Sequence, residues 1–188
     1  MNVLLFTDRD RTAPNRIQIG GSRLQHLRDV LAADAGAKLR VGELGGRMGV
    51  GELLSIDADA AVLEIQLTEE PPPKLPLCLV LALPRPKMLR RILRTVAELG
   101  VSELHLINSF RVEKSYWQTP ALAAAAVEDY FLQGLSQSRD TILPTLQLHK
   151  RFKPFVEDTL PGLIRDRRAL LAHPGDYPAC PTGVDTPT

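Results

Sequence analysis

Between Thr68 and Pro76 the chain reads TEEPPPKLP, and the apolar periodicity differs on the two sides of this stretch. Proline fixes φ and lacks an N–H, so such a run resists both helix and central strand and favours a stiff, extended connector. It also separates two charge regimes. Residues 1–72 carry 8 Lys and Arg against 11 Asp and Glu, whereas residues 73–188 carry 15 against 11. We read a domain boundary here, with one unit over residues 1–70 and a second over 74–188. The alternative is a Pro-rich loop inside a single domain.

The first unit reads mostly as β structure. Val3–Phe6 and Arg16–Ile19 are short strand candidates. Gly20-Gly21-Ser22 then opens a helix, with Ser22 as candidate N-cap and Leu24, Leu27, Val30 and Leu31 on one face. Lys38–Leu44 and Met48–Ile56 flank Gly45-Gly46, a hairpin signal. Ala61–Leu67 alternates Val62, Glu64 and Gln66 with Leu63, Ile65 and Leu67, the period of a half-buried strand. About five strands and one helix in some 70 residues fit a small barrel, too small to be very stable alone.

The period changes in the second unit. Leu77–Leu83 is a continuous apolar run, as expected of a strand buried on both faces. A helix follows over about 87–99 and ends at Gly100, the position that favours a left-handed turn. Leu104–Asn108 reads as the next strand, giving a βαβ unit and hence a parallel sheet. A helix over about 120–138, a loop at Pro144, a short helix near 155–165 and a strand at 169–172 complete the pattern. The last residues, PGDYPACPTGVDTPT, are rich in proline. They read either as a disordered tail or as a chain ending before its last structural elements.

Composition narrows the class. With 44% apolar and 24% charged residues, 13 Gly and 2 Cys, the chain is globular rather than disordered, collagen-like or disulfide-stapled. Cys78 and Cys180 show no metal or redox spacing, which favours a reduced, cytoplasmic setting. LPLCLVLALP at 75–84 is far short of the ~18 residues a span requires, so no membrane segment is expected. The N-terminus lacks the long apolar core of a secretory signal.

The most pointed feature is PRPKMLRRILRTVAELG at 84–100. Lys87, Arg90, Arg91 and Arg94 share one helical face, and Leu89, Ile92, Leu93, Val96 and Leu99 share the other. Clustered cations repel unless something anionic binds, and guanidinium forks suit phosphate oxygens. A solvated basic face and a phosphate or RNA contact stand as equal readings. In FRVEKSYWQTP at 110–120, Arg111 and Lys114 are positioned to grip a backbone, just past a strand end where α/β sheets bind ligands. Tyr116 or Trp117 either stacks on a base or packs in an interface. HKRFKPF at 149–155 reads equally as solvated loop or contact site. His26, His105, His149 and His173 lack the spacing of metal ligands, and neither a nucleophile motif nor a Gly-rich phosphate loop is present. The catalytic residue is unassigned and no metal is expected.

The sequence resembles the RsmE family of 16S ribosomal RNA uridine-N3 methyltransferases, members of the knotted SPOUT superfamily. The carriers are HLRDVLAADAGAKLRVGELGGRMGVGELLSI at 26–56 and LALPRPKMLRRILRTVAELGVSELHLINSFRVEKS at 81–115, with Gln137-Ser138-Arg139 and Pro144. Ala32 and Asp140 depart from the family pattern. Its Gly-Pro-Glu-Gly-Gly loop and Leu-Arg-x-Glu-Thr-Ala segment are absent. The resemblance implies an N-terminal PUA-like β-barrel that binds RNA, followed by a SPOUT-type, trefoil-knot α/β methyltransferase domain truncated at its C-terminus.

It further implies transfer of a methyl group from S-adenosylmethionine to N3 of a uridine in 16S rRNA of the small ribosomal subunit, an activity not expected of this chain alone. Leu83, Pro84, Asn108, Ser109, His173 and Pro174 are the implied cofactor contacts. Arg85, Lys87, Arg90, Arg91, Arg94, Arg111 and Lys114 are the expected RNA contacts, and a homodimer is the implied assembly. A non-enzymatic RNA-binding or ribosome-assembly protein, and an α/β domain for a small anionic ligand, are the competing readings.

Overall fold

A computed structural model describes residues 2–29, 34–179 and 181. Two sheets form on either side of the proline run. The first has six strands: β1 (Leu4–Phe6), β2 (Arg11–Ala13), β3 (Arg16–Ile19), β4 (Lys38–Glu43), β5 (Met48–Ile56) and β6 (Ala61–Glu69). Their order is β1-β4-β5-β6-β3-β2; β1 runs parallel to β4 and the other pairs are antiparallel.

The strand alternation read in the sequence sets the register. In β6, Ala61, Leu63 and Ile65 are buried while Glu64 and Gln66 face water. Leu4 and Phe6 of β1 share one core with Ile17 and Ile19 of β3, although three strands lie between them in the sheet, so the sheet curls over that core. Leu24 and Leu27 of α1 (Gly21–Asp29) close it. The helix begins one residue ahead of Ser22, so Ser22 does not cap it. Val30 and Leu31 lie outside the described residues. β2 is the strand of this sheet that the sequence reading lacks; it is three residues long, too short for a period to register.

The second sheet is parallel, ordered β7-β8-β9, with β7 (Leu75–Ala82), β8 (Val101–Ile107) and β9 (Thr145–His149). Helix α2 (Pro86–Glu98) links the first two strands and α3 (Ala124–Ser138) precedes the third. Gly100, at φ +72°, ends α2 in the left-handed region, as its sequence position requires. Leu89, Leu93, Val96 and Ala97 of α2 pack with Leu104 and Leu106 of β8 and with Phe131 and Leu135 of α3.

Three expectations change here. β7 is an edge strand, largely exposed or half-exposed rather than buried on both faces: α2 and α3 cover one face of the sheet, and on the other Phe155 packs against His105 of β8 and His149 of β9. The helix expected over 120–138 is interrupted: a short turn at Pro120–Leu122 gives way at Ala123, whose extended ψ of 137° starts α3. The short helix expected near 155–165 does form, over 152–164, with a wide π turn at Phe155–Thr159. No strand forms at 169–172; the third strand is β9, and Leu170 and Leu171 are exposed.

The two sheets meet through specific contacts. The N–H groups of Asn2 and Val3 donate to the Ser136 carbonyl at 2.7 and 3.1 Å. The Thr141 hydroxyl donates to the Gly46 carbonyl at 2.6 Å, and the Gly45 N–H donates to the Thr141 carbonyl at 2.8 Å. Lys74, in the connector, forms a 2.5 Å ion pair with buried Asp140.

Candidate functional site

Strand ends define the site. The Leu83 N–H donates to the Ile107 carbonyl at 2.9 Å, and the Asn108 N–H to the His149 carbonyl at 3.0 Å. These bonds align the C-terminal ends of β7, β8 and β9 on one edge. The connection after β7 leads through Arg85 into α2, and the connection after β8 carries Phe110, Arg111 and Lys114. Two basic segments thus leave adjacent strand ends, the edge where parallel α/β sheets meet ligands.

Helix α2 turns its charge outward because its apolar positions are consumed by the core. Arg85, Lys87, Arg90, Arg91 and Arg94 are exposed, as are Arg111 and Lys114. Among the described residues, no carboxylate pairs with any of these seven cations. Glu98 lies one turn beyond Arg94 yet forms no ion pair with it; Arg94 instead sits 5.7 Å from the Tyr130 ring centre. The first sheet behaves differently. Arg11 pairs with Glu43, Arg23 with Asp10, Arg40 with Glu69 and Arg47 with Glu70. Seven cations without a carboxylate partner thus lie on α2 with its N-terminal flank and on the loop after β8, whereas half of the first unit's eight are paired.

The aromatic residues divide by role. Tyr116 and Trp117 pack against the helix-side core. The Trp117 indole N–H donates to Asn108 Oδ1 at 3.3 Å, and the Tyr116 hydroxyl donates to Glu113 at 2.9 Å. Phe110 is fully exposed beside Arg111. The sequence reading passed over Phe110, because a single exposed aromatic has no periodic signature.

The six residues expected around a cofactor do not all converge. Leu83, Pro84, Asn108 and Ser109 lie on the common strand edge. His173 and Pro174 end no strand; they are exposed, and His149 occupies the end of the third strand instead. Burial first, and then the neighbouring His105, holds the His149 imidazole below its usual range.

Over residues 70–180 the chain matches the family described as the RNA methyltransferase domain, and it belongs to that family. Its relatives narrow the branch. It is 31% identical over 157 residues to ribosomal RNA small subunit methyltransferase E of Treponema pallidum, covering 82% of this chain and 59% of that protein. It is 24% identical over 153 residues to ribosomal RNA small subunit methyltransferase E 1 of Borreliella burgdorferi, covering 81% and 63%. The resemblance to the RsmE family is thereby borne out, and the chain spans about three fifths of the length of these relatives.

Solved structures agree on the fold. A probable rRNA-methyltransferase from Porphyromonas gingivalis superposes with a TM-score of 0.62 at 19% identity, over 83% of this chain and 64% of that one. The Neisseria gonorrhoeae ribosomal RNA small subunit methyltransferase E, solved bound to S-adenosylmethionine, gives 0.57 at 16% identity, over 79% and 60%.

Adenosine binding calls for free backbone donors and acceptors. Here the Leu83 and Asn108 N–H groups are spent on the strand edge, Pro84 has none, Asn108 Oδ1 holds Trp117, and the Ser109 carbonyl holds the Val112 N–H. The Ser109 N–H and hydroxyl, the Asn108 side-chain amide and the carbonyls of Leu83, Pro84 and Asn108 are not taken up by these bonds. The described residues at this edge therefore offer an adenosine ligand a partial set of donors and acceptors.

Proposed function

We propose that this chain supplies the RNA-gripping part of an enzyme that methylates N3 of a uridine in 16S rRNA, with S-adenosylmethionine as methyl source. In this reading residues 1–70 form a PUA-like barrel and residues 74–188 belong to a SPOUT-type domain. The observation that carries it is the run of exposed, carboxylate-free cations on α2, continuous with Arg111 and Lys114 at the strand edge. Such a surface suits a polyphosphate backbone, whose binding is driven by release of condensed counterions. Exposed Phe110 adds a flat face on which an unpaired base can stack.

The pairing of Arg11, Arg23, Arg40 and Arg47 with carboxylates in the first unit supports giving the weight of RNA contact to the second. Leu83, Pro84, Asn108 and Ser109 border the cofactor on one side only, and a homodimer acting in the cytoplasm completes the reading. The spent N–H groups also favour a second reading, in which residues 1–188 bind rRNA without catalysing its methylation. Titration of a fluorescent 16S rRNA fragment with the chain, followed by mass spectrometry of the nucleosides after incubation with S-adenosylmethionine, separates them. Salt-sensitive binding is expected on both readings, formation of N3-methyluridine contradicts the second, and absence of salt-sensitive binding contradicts both.

A further inference from the structure

We propose that Cys78, Glu103 and His105 form a zinc-binding site on the face of the parallel sheet turned away from α2 and α3. Strand register brings them together. Cys78 of β7 lies opposite Glu103 of β8, and Glu103 and His105, two residues apart, project from the same face. One ligand atom from each lies within 4.8 Å of the others. Leu104 and Leu106, pointing the other way, are buried under the helices, so this cluster is separate from the basic helix face.

The orientation of His105 points to a cation. The residue is fully buried, and its Nε2 has no hydrogen-bond partner. Glu103 Oε1 nevertheless lies 3.0 Å from that nitrogen, outside the line a ring N–H would follow. The opposite ring nitrogen, Nδ1, is 2.9 Å from His149 Nε2, and the two rings stack with centroids 5.2 Å apart. With Nδ1–H donating to His149, Nε2 turns its lone pair toward Glu103. Two acceptors then face each other across 3.0 Å, and a tetrahedral zinc with bonds of about 2.0–2.1 Å holds such a pair about 3.3–3.4 Å apart, a small opening of this contact.

The surroundings match a zinc site as well. Metal-bound histidines commonly donate their second ring N–H to a fixed acceptor, the role that His149 fills. Arg167 holds the other oxygen of Glu103, Oε2, at 3.2 Å, leaving Oε1 aimed inward. Thiolate, imidazole and carboxylate together suit zinc better than the hard cations magnesium or calcium, and three protein ligands leave a position for water.

The test uses the full chain with Cys180→Ser, so that Cys78 is the sole thiol. Zinc binding is measured by competition with a chromophoric chelator, and cobalt(II) serves as spectroscopic probe. One ion per chain is expected, with a near-ultraviolet thiolate-to-cobalt charge-transfer band. Cys78→Ser removes that band, and Glu103→Gln weakens zinc by at least the 10–100-fold typical of even outer-shell changes. Both positions are partly exposed, so these variants carry the test if His105→Asn fails to fold. Absence of binding tighter than about 1 μM, or a cobalt spectrum unaltered by Cys78→Ser, overturns the proposal; a simple histidine–carboxylate contact then accounts for the cluster.

Discussion

The backbone carbonyl of Arg94 occupies the space above Gly134: a Cβ built on Gly134 would stand 2.3 Å from that oxygen and 2.9 Å from Ala97 Cβ. Helices α2 and α3 approach this closely because residue 134 has no side chain. The position of the basic helix therefore depends on a glycine with no charge and no contact with a ligand. Gly134→Ala must push α2 outward, at about 1–3 kcal/mol for an overpacked site. For a chain of this size that lowers Tm by roughly 2–12 °C. An unchanged Tm by calorimetry would mean that the helices are not packed as described.

The connector is pinned to the second unit by Lys74 and Asp140, whose side chains are 15% and 3% exposed. Removing one member of a buried pair strands the other charge. Lys74→Met is expected to cost about 3–5 kcal/mol, and Lys74→Met with Asp140→Leu to recover much of it. Urea denaturation of the two variants measures both. Equal stability of Lys74→Met and the parent would remove the pair from the account.

A pH dependence follows from Asp10. Burial opposes its charge, but the Arg23 guanidinium at 2.6 Å and the Thr7 N–H at 2.8 Å together hold its carboxyl below the usual carboxylate range. A depressed folded value stabilises above the unfolded value of about 3.9 and is lost as pH falls through the lower, folded one. Asp10→Asn should therefore be less stable than the parent at pH 7, with the gap shrinking below about pH 3.9. A gap independent of pH contradicts the assignment.

Phe110 offers a test of stacking separate from charge. Its ring is fully exposed, so Phe110→Ala should leave Tm unchanged. Stacking on a base is worth about 1–3 kcal/mol, so affinity for a single-stranded 16S rRNA fragment should fall roughly 5- to 150-fold. Fluorescence anisotropy reads the change, and unaltered affinity would leave Phe110 without a role in RNA contact.

What the sequence revealed follows from which signals are periodic. Helix α2 was legible because Leu89, Leu93 and Val96 recur at helical spacing and Gly100 marks its end. β6 was legible because its alternation is strict. β9 was missed because TLQLH is short, follows Pro144 and lies on an exposed edge. The apolar run ALLA at 169–172 looked like a strand, but a four-residue run has no partner encoded within it. Cys78, Glu103 and His105 were invisible as a group, since only the register of β7 against β8 makes them neighbours. The basic face was read correctly as a face; that its cations lack carboxylate partners required the fold.

If α2 meets RNA phosphates, reversing its charge must weaken binding and flatten its salt dependence. Arg90, Arg91 and Arg94 are exposed and unpaired with any carboxylate, so Arg90→Glu, Arg91→Glu and Arg94→Glu together should leave the fold intact by circular dichroism. Binding of the triple variant to a 16S rRNA fragment, measured across a salt series, should be weaker than the parent's. The slope of log affinity against log salt should be shallower by about 2–3, as each lost phosphate contact removes roughly 0.7–0.9. A folded triple variant with the parent's affinity and slope would contradict the account.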